Sequence, residues 1–168
     1  MTKWWVRAAA LTALAVALQA CGDRPDKQAM AAVQGLLTAV QTGNAGGFEA
    51  LLDRPALRAD LRKQIASVAR RDDLVVDGGP SELALDNMIS PQAFRLVQAG
   101  SGAPLRGAPS KAQVEDLVKR LDDHRVCVHD LTPKQTCIVT FAKEAPGWRM
   151  IGMLAGGVTI AVPPPAGK

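Results

Sequence analysis

Apolar residues recur at helical spacing through the first half of the chain. The earliest clear stripe predicts a helix over Lys27–Gln41 and consists of Met30, Val33, Leu36, Leu37 and Val40. The small and polar residues of 42–47 should end that helix. A short helical piece is then expected over 48–52.

Two further helices are indicated by proline near their starts. Asp53-Arg54-Pro55 places a proline in the first turn of a helix that should run to about Arg71. Its buried face is expected at Leu57, Leu61, Ile65 and Val68. Asp77-Gly78-Gly79-Pro80 predicts a turn, and a short helix should follow over 81–88.

The pattern between 90 and 121 also favours helices. Ser90-Pro91 resembles an N-cap followed by a first helical residue, which should turn Phe94 and Val97 inward. Residues 99–109 are rich in Gly, Pro and Ala and predict a loop. Ser110 and Gln113 fit a capping box. The helix after them should bury Val114, Leu117, Val118 and Leu121.

The last third changes to short runs rich in β-branched residues. Strands are expected at about 125–130, 136–143 and 147–154, and 158–162 adds a further edge strand. Consecutive prolines at 163–165 should end regular structure, because proline donates no ladder hydrogen bond. The order predicts one α+β domain over 27–162, with N-terminal helices packed on a C-terminal antiparallel sheet of three to four strands. Residues 163–168 should form a disordered tail.

The first residues have the parts of a secretory signal. Lys3 and Arg7 precede the apolar run Ala8–Leu18, which is too short for the roughly 20 residues of a membrane-spanning helix. Leu18-Gln19-Ala20-Cys21 resembles the lipobox of bacterial lipoproteins. This resemblance implies that residues 1–20 are a signal peptide, that Cys21 carries lipid, and that 21–26 form a tether. The alternative is an ordinary cleaved signal with a chance cysteine.

The residue after Cys21 bears on location. In lipoproteins of double-membraned bacteria, Asp directly after the lipidated cysteine is the usual signal for retention in the inner membrane. Gly22 stands there in this chain. We therefore expect a lipid-anchored protein of the cell envelope that faces the periplasm, at the outer membrane.

The two remaining cysteines, Cys127 and Cys137, lie in strands that read as a hairpin. With a loop at 131–133 they fall opposite each other, which predicts a disulfide in an oxidising compartment. The alternative is a metal site, with the ligand types of His124, Cys127, His129 and Cys137. Because the cysteines are not grouped in close pairs, we expect the disulfide and no metal.

Charge and aromatic content exclude some partners. The chain has 20 basic and 16 acidic residues, and removal of Lys3 and Arg7 with the signal leaves 18 against 16. Few aromatic residues follow Cys21, so we expect no nucleic acid partner. Arg58, Arg62 and Lys63 lie on a basic helix that would suit anionic lipid or an acidic partner. The alternative for these three is a solvated face.

Part of the chain is similar to a known family. Residues 48–62 and Ile89-Ser90-Pro91-Gln92-Ala93-Phe94 resemble two landmarks of the bacterial domain-of-unknown-function family numbered 2939, and Gly147-Trp148-Arg149-Met150 resembles its closing region. The similarity spans roughly residues 30 to 154. Its motifs are capping and packing signals, so the resemblance implies domain boundaries and no activity.

No catalytic motif is present in the sequence, and no cofactor is expected. A cluster of titratable residues near the hairpin makes a hydrolytic site an alternative: Asp122, Asp123, His124, His129 and Asp130. We predict instead a non-enzymatic binding or scaffolding domain. Its expected partners are the membrane, through the lipid, and an unknown envelope protein or small ligand.

A second functional hypothesis is an apolar ligand pocket between helices and sheet, as in folds that resemble nuclear transport factor 2. Its lining would be Phe94, Phe141, Trp148 and Met150. The alternative for these four side chains is that they fill the core.

Overall fold

The computed structural model describes residues 26–73 and 78–165. Its helices are α1 (Lys27–Thr42), α2 (Ala45–Glu49), α3 (Arg54–Arg71), α4 (Glu82–Met88) and α5 (Lys111–Glu115). Its strands are β1 (Phe94–Gln98), β2 (Val118–Arg120), β3 (Arg125–His129), β4 (Cys137–Glu144), β5 (Gly147–Met153) and β6 (Val158–Val162). The predicted signal peptide, Cys21 and the tether as far as residue 25 lie outside the described residues. Residues 74–77, which include the first residue of the predicted turn, Asp77, and residues 166–168 of the predicted tail also lie outside them.

The architecture is α+β, as the sequence predicted, with helices before an antiparallel sheet of four strands. That sheet has the order β2-β3-β4-β5, and β1 and β6 form a separate parallel pair. Most of the buried apolar residues of α1, α3 and both sheets belong to one hydrophobic cluster. In the described part of the chain, no helix is long and apolar enough to cross a bilayer.

The two long helices begin at side-chain caps. Asp26 accepts a hydrogen bond from the Gln28 amide at the start of α1, and Asp53 accepts one from the Ala56 amide at the start of α3. Leu57 and Leu61 of α3 are fully buried, as predicted. Val68 is 46% exposed, so its predicted inward position is wrong; the buried line advances by four residues at a time and reaches Ala69 instead.

The short helix α2 begins earlier than the expected 48–52. The Asn44 side chain accepts a hydrogen bond from the Gly47 amide at 3.0 Å and so fixes the start of α2 at Ala45. Leu52, three residues after the end of α2 at Glu49, forms a parallel bridge with Met150. This bridge covers part of the outer edge of β5.

Two segments that the spacing predicted as helix are strands. After Ser90 there is only a 3₁₀ turn, Pro91–Ala93, and β1 then pairs with β6. Phe94 and Val97 are buried, as expected, although in a strand. The capping box at Ser110 and Gln113 is confirmed, but α5 ends at Glu115 and β2 pairs with β3.

These errors have a physical cause. A short apolar run has the same residue pattern in a buried strand and in a buried helix, so pairing with another strand decides the outcome. Leu121, predicted to be buried, is 47% exposed because it follows the end of β2.

The hairpin of β3 and β4 differs from its predicted register. Cys127 lies opposite Thr140, three residues from the predicted partner Cys137, and Cys137 lies opposite His129. The loop between the strands is longer than the expected 131–133, and an irregularity between Val128 and His129 shifts the pairing by one further residue near the loop. The two cysteines are nevertheless joined as a disulfide, with their Cα atoms 5.6 Å apart.

Candidate functional site

An open cleft of about 280 Å³ lies beside the end of β5. Thr140 and Gly152 form a directly opposed pair on its floor, whereas their neighbours Val139 and Met153 belong to the hydrophobic core. Side chains alternate between the two faces of a sheet. Thr140 and Gly152 therefore share one face of the sheet, and the core residues Ile138 and Met153 also contribute to the lining of the cleft.

One wall of the cleft consists of two polar residues of α3. Asp60 and Gln64 lie one helical turn apart and meet the backbone at the end of β5. Asp60 Oδ2 accepts hydrogen bonds from the Gln64 amide group at 2.8 Å and from the Met153 backbone amide at 3.3 Å. Gln64 in turn donates to the Met153 carbonyl at 2.7 Å and accepts from the Ala155 amide at 3.0 Å.

After the bridge between Leu52 and Met150, no strand pairs with the outer edge of β5 in the described residues. The side chains of Asp60 and Gln64 form the hydrogen bonds there instead. Their approach depends on Gly152, because a Cβ atom there would lie 3.2 Å from Asp60 Oδ2. The glycine thus lets a carboxylate rest against the backbone of β5. A polar wall is built from helix side chains and the backbone of one strand.

The other charged residue of the cleft is Arg125, at the start of β3. Its Nε donates to Asp122 Oδ2 at 2.7 Å, and its side chain is 54% exposed. Hydrogen bonds from the His124 backbone amide and from Arg125 hold the pKa of Asp122 below its usual value. Arg125 is therefore oriented by an ionised carboxylate while much of the side chain stays accessible.

Between the charged residues the lining is mostly apolar. It consists of Ile138, Ile151, Met153 and Leu154, together with one cysteine of the disulfide, Cys137. Cys127, the other cysteine, is 2% exposed. The disulfide thus joins the floor of the cleft to the buried part of β3. The cleft as a whole offers a carboxylate, a guanidinium and an apolar strip.

The four residues predicted to line an apolar pocket lie elsewhere. Phe94, Phe141, Trp148 and Met150 are all at most 5% exposed and belong to the hydrophobic core, and none lines this cleft. The ring of Phe94 packs edge-on against Phe48 with centroids 5.5 Å apart. The Trp148 Nε1 group is buried and has no hydrogen-bond partner among the described residues.

The predicted basic contact residues are not gathered into one free patch. Arg58 donates to both carboxylate oxygens of Asp86, at 2.9 and 2.7 Å, and also contacts Glu82. Arg62 pairs with Glu82 as well. Lys63 is exposed and forms no ion pair within the described residues. The charges of Arg58 and Arg62 are therefore compensated by α4.

The cysteines and the buried histidine of the alternative metal site make other contacts. Cys127 and Cys137 are joined to each other, and the buried His129 places Nδ1 2.6 Å from the Asp130 carbonyl oxygen. His124 is exposed at the β2 to β3 turn. Within the two described ranges, no three His, Cys, Asp or Glu residues are grouped so that they would hold a metal.

The acidic residues of the alternative hydrolytic site form hydrogen bonds and ion pairs that stabilise turns. Asp130 accepts hydrogen bonds from the Thr132 hydroxyl at 2.7 Å and from the Thr136 amide at 2.9 Å. The hydrogen bond from Thr132, followed by those from Thr136, lowers the Asp130 pKa. Asp122 and Asp123 pair with Arg125 and Arg120.

Sequence reasoning missed the cleft residues Asp60, Gln64, Thr140 and Arg125. A weak signal exists, because Asp60 and Gln64 are polar residues spaced by four on a helix. Nothing in the local pattern places Gly152 or Arg125 beside them, since these contacts depend on the register of distant strands.

Comparison with known proteins returns no match: no family model, no curated protein and no solved structure is similar to this chain.

Proposed function

We propose that this protein is a lipid-anchored domain of the bacterial cell envelope that faces the periplasm, at the outer membrane, and acts by binding rather than by catalysis. The lipobox-like segment before Cys21 supports the anchor, and the family resemblance stated above remains part of this proposal. The cleft beside β5 is its binding site. The observation that carries this assignment is the juxtaposition of Asp60 and Arg125 in one cleft.

The cleft favours a small ligand over a broad protein contact. Its volume of about 280 Å³ is near the lower end of small-molecule sites, which span about 300 to 1,000 Å³. A ligand with a cationic and an anionic group on either side of an apolar part would complement Asp60, Arg125 and the apolar strip. Free amino acids and short peptides have this chemistry. Scaffolding of an envelope protein, the other hypothesis, remains a prediction.

The anchor is tested by Cys21→Ser in the full chain. We expect the variant to leave the membrane fraction, because it has no thiol to acylate, and to keep its signal peptide uncleaved or be cut by ordinary signal peptidase. Fractionation of cells and the intact mass of the purified protein measure both effects. If the variant is processed and fractionates like the wild type, the anchor is wrong.

The binding site is tested by NMR titration of the protein with zwitterionic dipeptides. We expect the amide resonances of Thr140 and Gly152 to shift, and the dissociation constant to rise at least about tenfold in Asp60→Asn and in Arg125→Gln, as a lost charged contact predicts. Asp60→Asn keeps a carbonyl oxygen for the Met153 amide, so the fold should persist. Glu115→Gln on α5, outside the cleft, is the matched control.

Two outcomes would contradict the cleft assignment. One is a set of shifts confined to residues outside the cleft, and the other is equal affinity in the wild type and both cleft variants. Cross-linking and mass spectrometry in intact cells would then test the scaffolding hypothesis, by identifying envelope proteins near the domain.

A further inference from the structure

The strand β6 presents one of its edges without a neighbour. Its only described strand partner is β1, with which it pairs in parallel from Phe94 opposite Val158 to Gln98 opposite Val162. Among the described residues, no other strand pairs with it. Val158, Ile160 and Val162 are buried in the core, whereas Thr159 is exposed. The core thus holds the strand in place while one edge stays open.

The hydrogen bonds around β1 show which backbone groups are free. The Ala99 amide donates to the Val162 carbonyl, whereas the opposite edge of β1 is occupied by bonds from Gln98 to Ala103 and from Leu105 to Leu96. Because the direction of backbone groups alternates along a parallel strand, residues 158, 160 and 162 face β1. The N–H and C=O groups of Thr159 and Ala161 therefore point away from β1.

Those four groups have no hydrogen-bond partner within the described parts of the chain. Natural edge strands are usually protected from pairing by charged residues, proline or bulges. The segment Leu154–Gly167 contains no charged residue, and proline first occurs at Pro163, after β6 has ended. Val158–Val162 is rich in β-branched residues, which favour strand pairing.

We infer that β6 is a self-association edge, and that its partner is β6 of a second copy of this chain. In an antiparallel pair centred on Ile160, Thr159 of one copy lies opposite Ala161 of the other. Each such pair exchanges two hydrogen bonds, so the symmetric arrangement uses all four free groups of both copies. Pro163 has no N–H group, and the ladder ends there.

The lack of charge is the reason for choosing a second copy as the partner. An uncharged edge can pair with itself without repulsion, and it offers an acidic or basic partner no attraction. The edge is short, so association depends on a high local concentration. Confinement to a membrane would supply it, and in this respect the inference rests on the proposed lipid anchor.

The pairing is tested by cross-linking two differently tagged full-length copies in the same cells. One copy carries Thr159→Cys and the other Ala161→Cys, and a mild oxidant is added to intact membranes, so that only thiols within disulfide distance are joined. We expect the mixed pair to cross-link at least about tenfold more than either variant alone, because only the mixed pair places the thiols directly opposite. Copies with Lys111→Cys and Glu115→Cys on α5 provide the matched control.

A second variant tests the hydrogen bonds. Thr159→Pro removes an N–H group that points away from β1, so thermal unfolding should change little while co-purification of the two tagged copies is lost. Cross-linking that is equal in mixed and unmixed samples, or no higher than in the α5 control, overturns the inference. Co-purification that survives Thr159→Pro also overturns it.

Failure of the anchor is recognised separately. If Cys21→Ser behaves like the wild type in fractionation, the proposed anchor fails while the register-specific cross-link can still form. If the protein is anchored and no mixed cross-link forms, the self-association edge fails alone.

Discussion

Asp60 and Gln64 show how two side chains can close a sheet edge. Beyond the bridge at Leu52, the backbone of β5 would have an unpaired amide at Met153, and the carboxylate of Asp60 accepts from it. The Gln64 side chain donates a hydrogen bond to the Met153 carbonyl and accepts one from the Ala155 amide. The same residues form a wall of the cleft, so stability and the proposed binding share these side chains.

The first prediction concerns Asp60. Asp60→Ala leaves the Met153 amide without its acceptor and Gln64 with one contact fewer, and should lower the free energy of unfolding by about 1 to 3 kcal/mol. Asp60→Asn keeps an acceptor oxygen and should cost less. Urea unfolding measures both variants. A loss in Asp60→Ala no larger than in the exposed control Glu115→Ala would contradict the edge-closing role.

Asp86 joins α3 to α4 and leads to a prediction about pH. The hydrogen bond from Arg58 is the main cause that lowers the Asp86 pKa, and the charges of Arg58 and Arg54 act in the same direction. A lowered pKa in the folded protein contributes stability that is complete above the ordinary aspartate pKa of about 3.9 and is lost as the pH falls through the lower folded value.

We therefore expect Asp86→Asn to flatten the decline of the unfolding free energy between about pH 5 and pH 2. Arg58→Gln should flatten the same range, because it removes the donor that lowers the Asp86 pKa. Urea unfolding at several pH values gives the slopes. Part of the decline should remain in both variants, since Asp122 and Asp130 also have lowered pKa values. Identical slopes in all three proteins would refute the assignment.

At the scale of elements, the success of sequence reasoning depended on whether the signal was local. The starts of α1 and α3 and the capping box at Ser110 were predictable, because a cap and a few neighbouring residues determine them. β1 was not, because its strand conformation depends on β6, which lies far along the chain, and β2 was not, because a short apolar run after a capping box fits a helix as well as a strand that pairs with β3. The cleft was missed for the same reason.

The hairpin combines both cases. Two strands and their disulfide-compatible spacing follow from local residue patterns, but the register does not, since Cys127 lies opposite Thr140 and not opposite Cys137. The loop at 131–136 is organised by Asp130, whose side chain accepts hydrogen bonds from Thr132 and Thr136, near the two ends of the loop. A short-range polar contact therefore decides which residues of the two strands face each other.

The disulfide is tested by counting thiols. Alkylation under denaturing conditions, with and without reduction, should differ by two modified cysteines in the mass of the mature protein. Cys127→Ser with Cys137→Ser should lower the free energy of unfolding by about 2 to 3 kcal/mol in the chain-entropy model, because the unfolded chain loses a closed loop. Equal thiol counts would show that the pair is reduced.

At the scale of the whole molecule, the proposed anchor and the fold together constrain orientation. Residues 21 and 26 are five positions apart, which allows a reach of roughly 18 Å at about 3.6 Å per residue. The start of α1 lies beside the β4 to β5 turn, since Asp26 pairs with Lys143 at 3.6 Å. α3 runs along β5 away from that turn. Its successive contacts show this direction: Asp53 with Met150, Asp60 with Met153, and Gln64 with Ala155.

This arrangement predicts that the Lys143 end of the molecule lies nearer the bilayer than the Arg71 end. A fluorophore on Lys143→Cys should be quenched by headgroup-labelled lipids more strongly than one on Arg71→Cys when the lipidated protein is reconstituted in vesicles. The difference should disappear in the same variants carrying Cys21→Ser, because they have no lipid to hold the tether at the bilayer. Equal quenching at both positions in the anchored protein would mean that the tether leaves the domain free to lie on its side, and stronger quenching at Arg71 would reverse the proposed orientation.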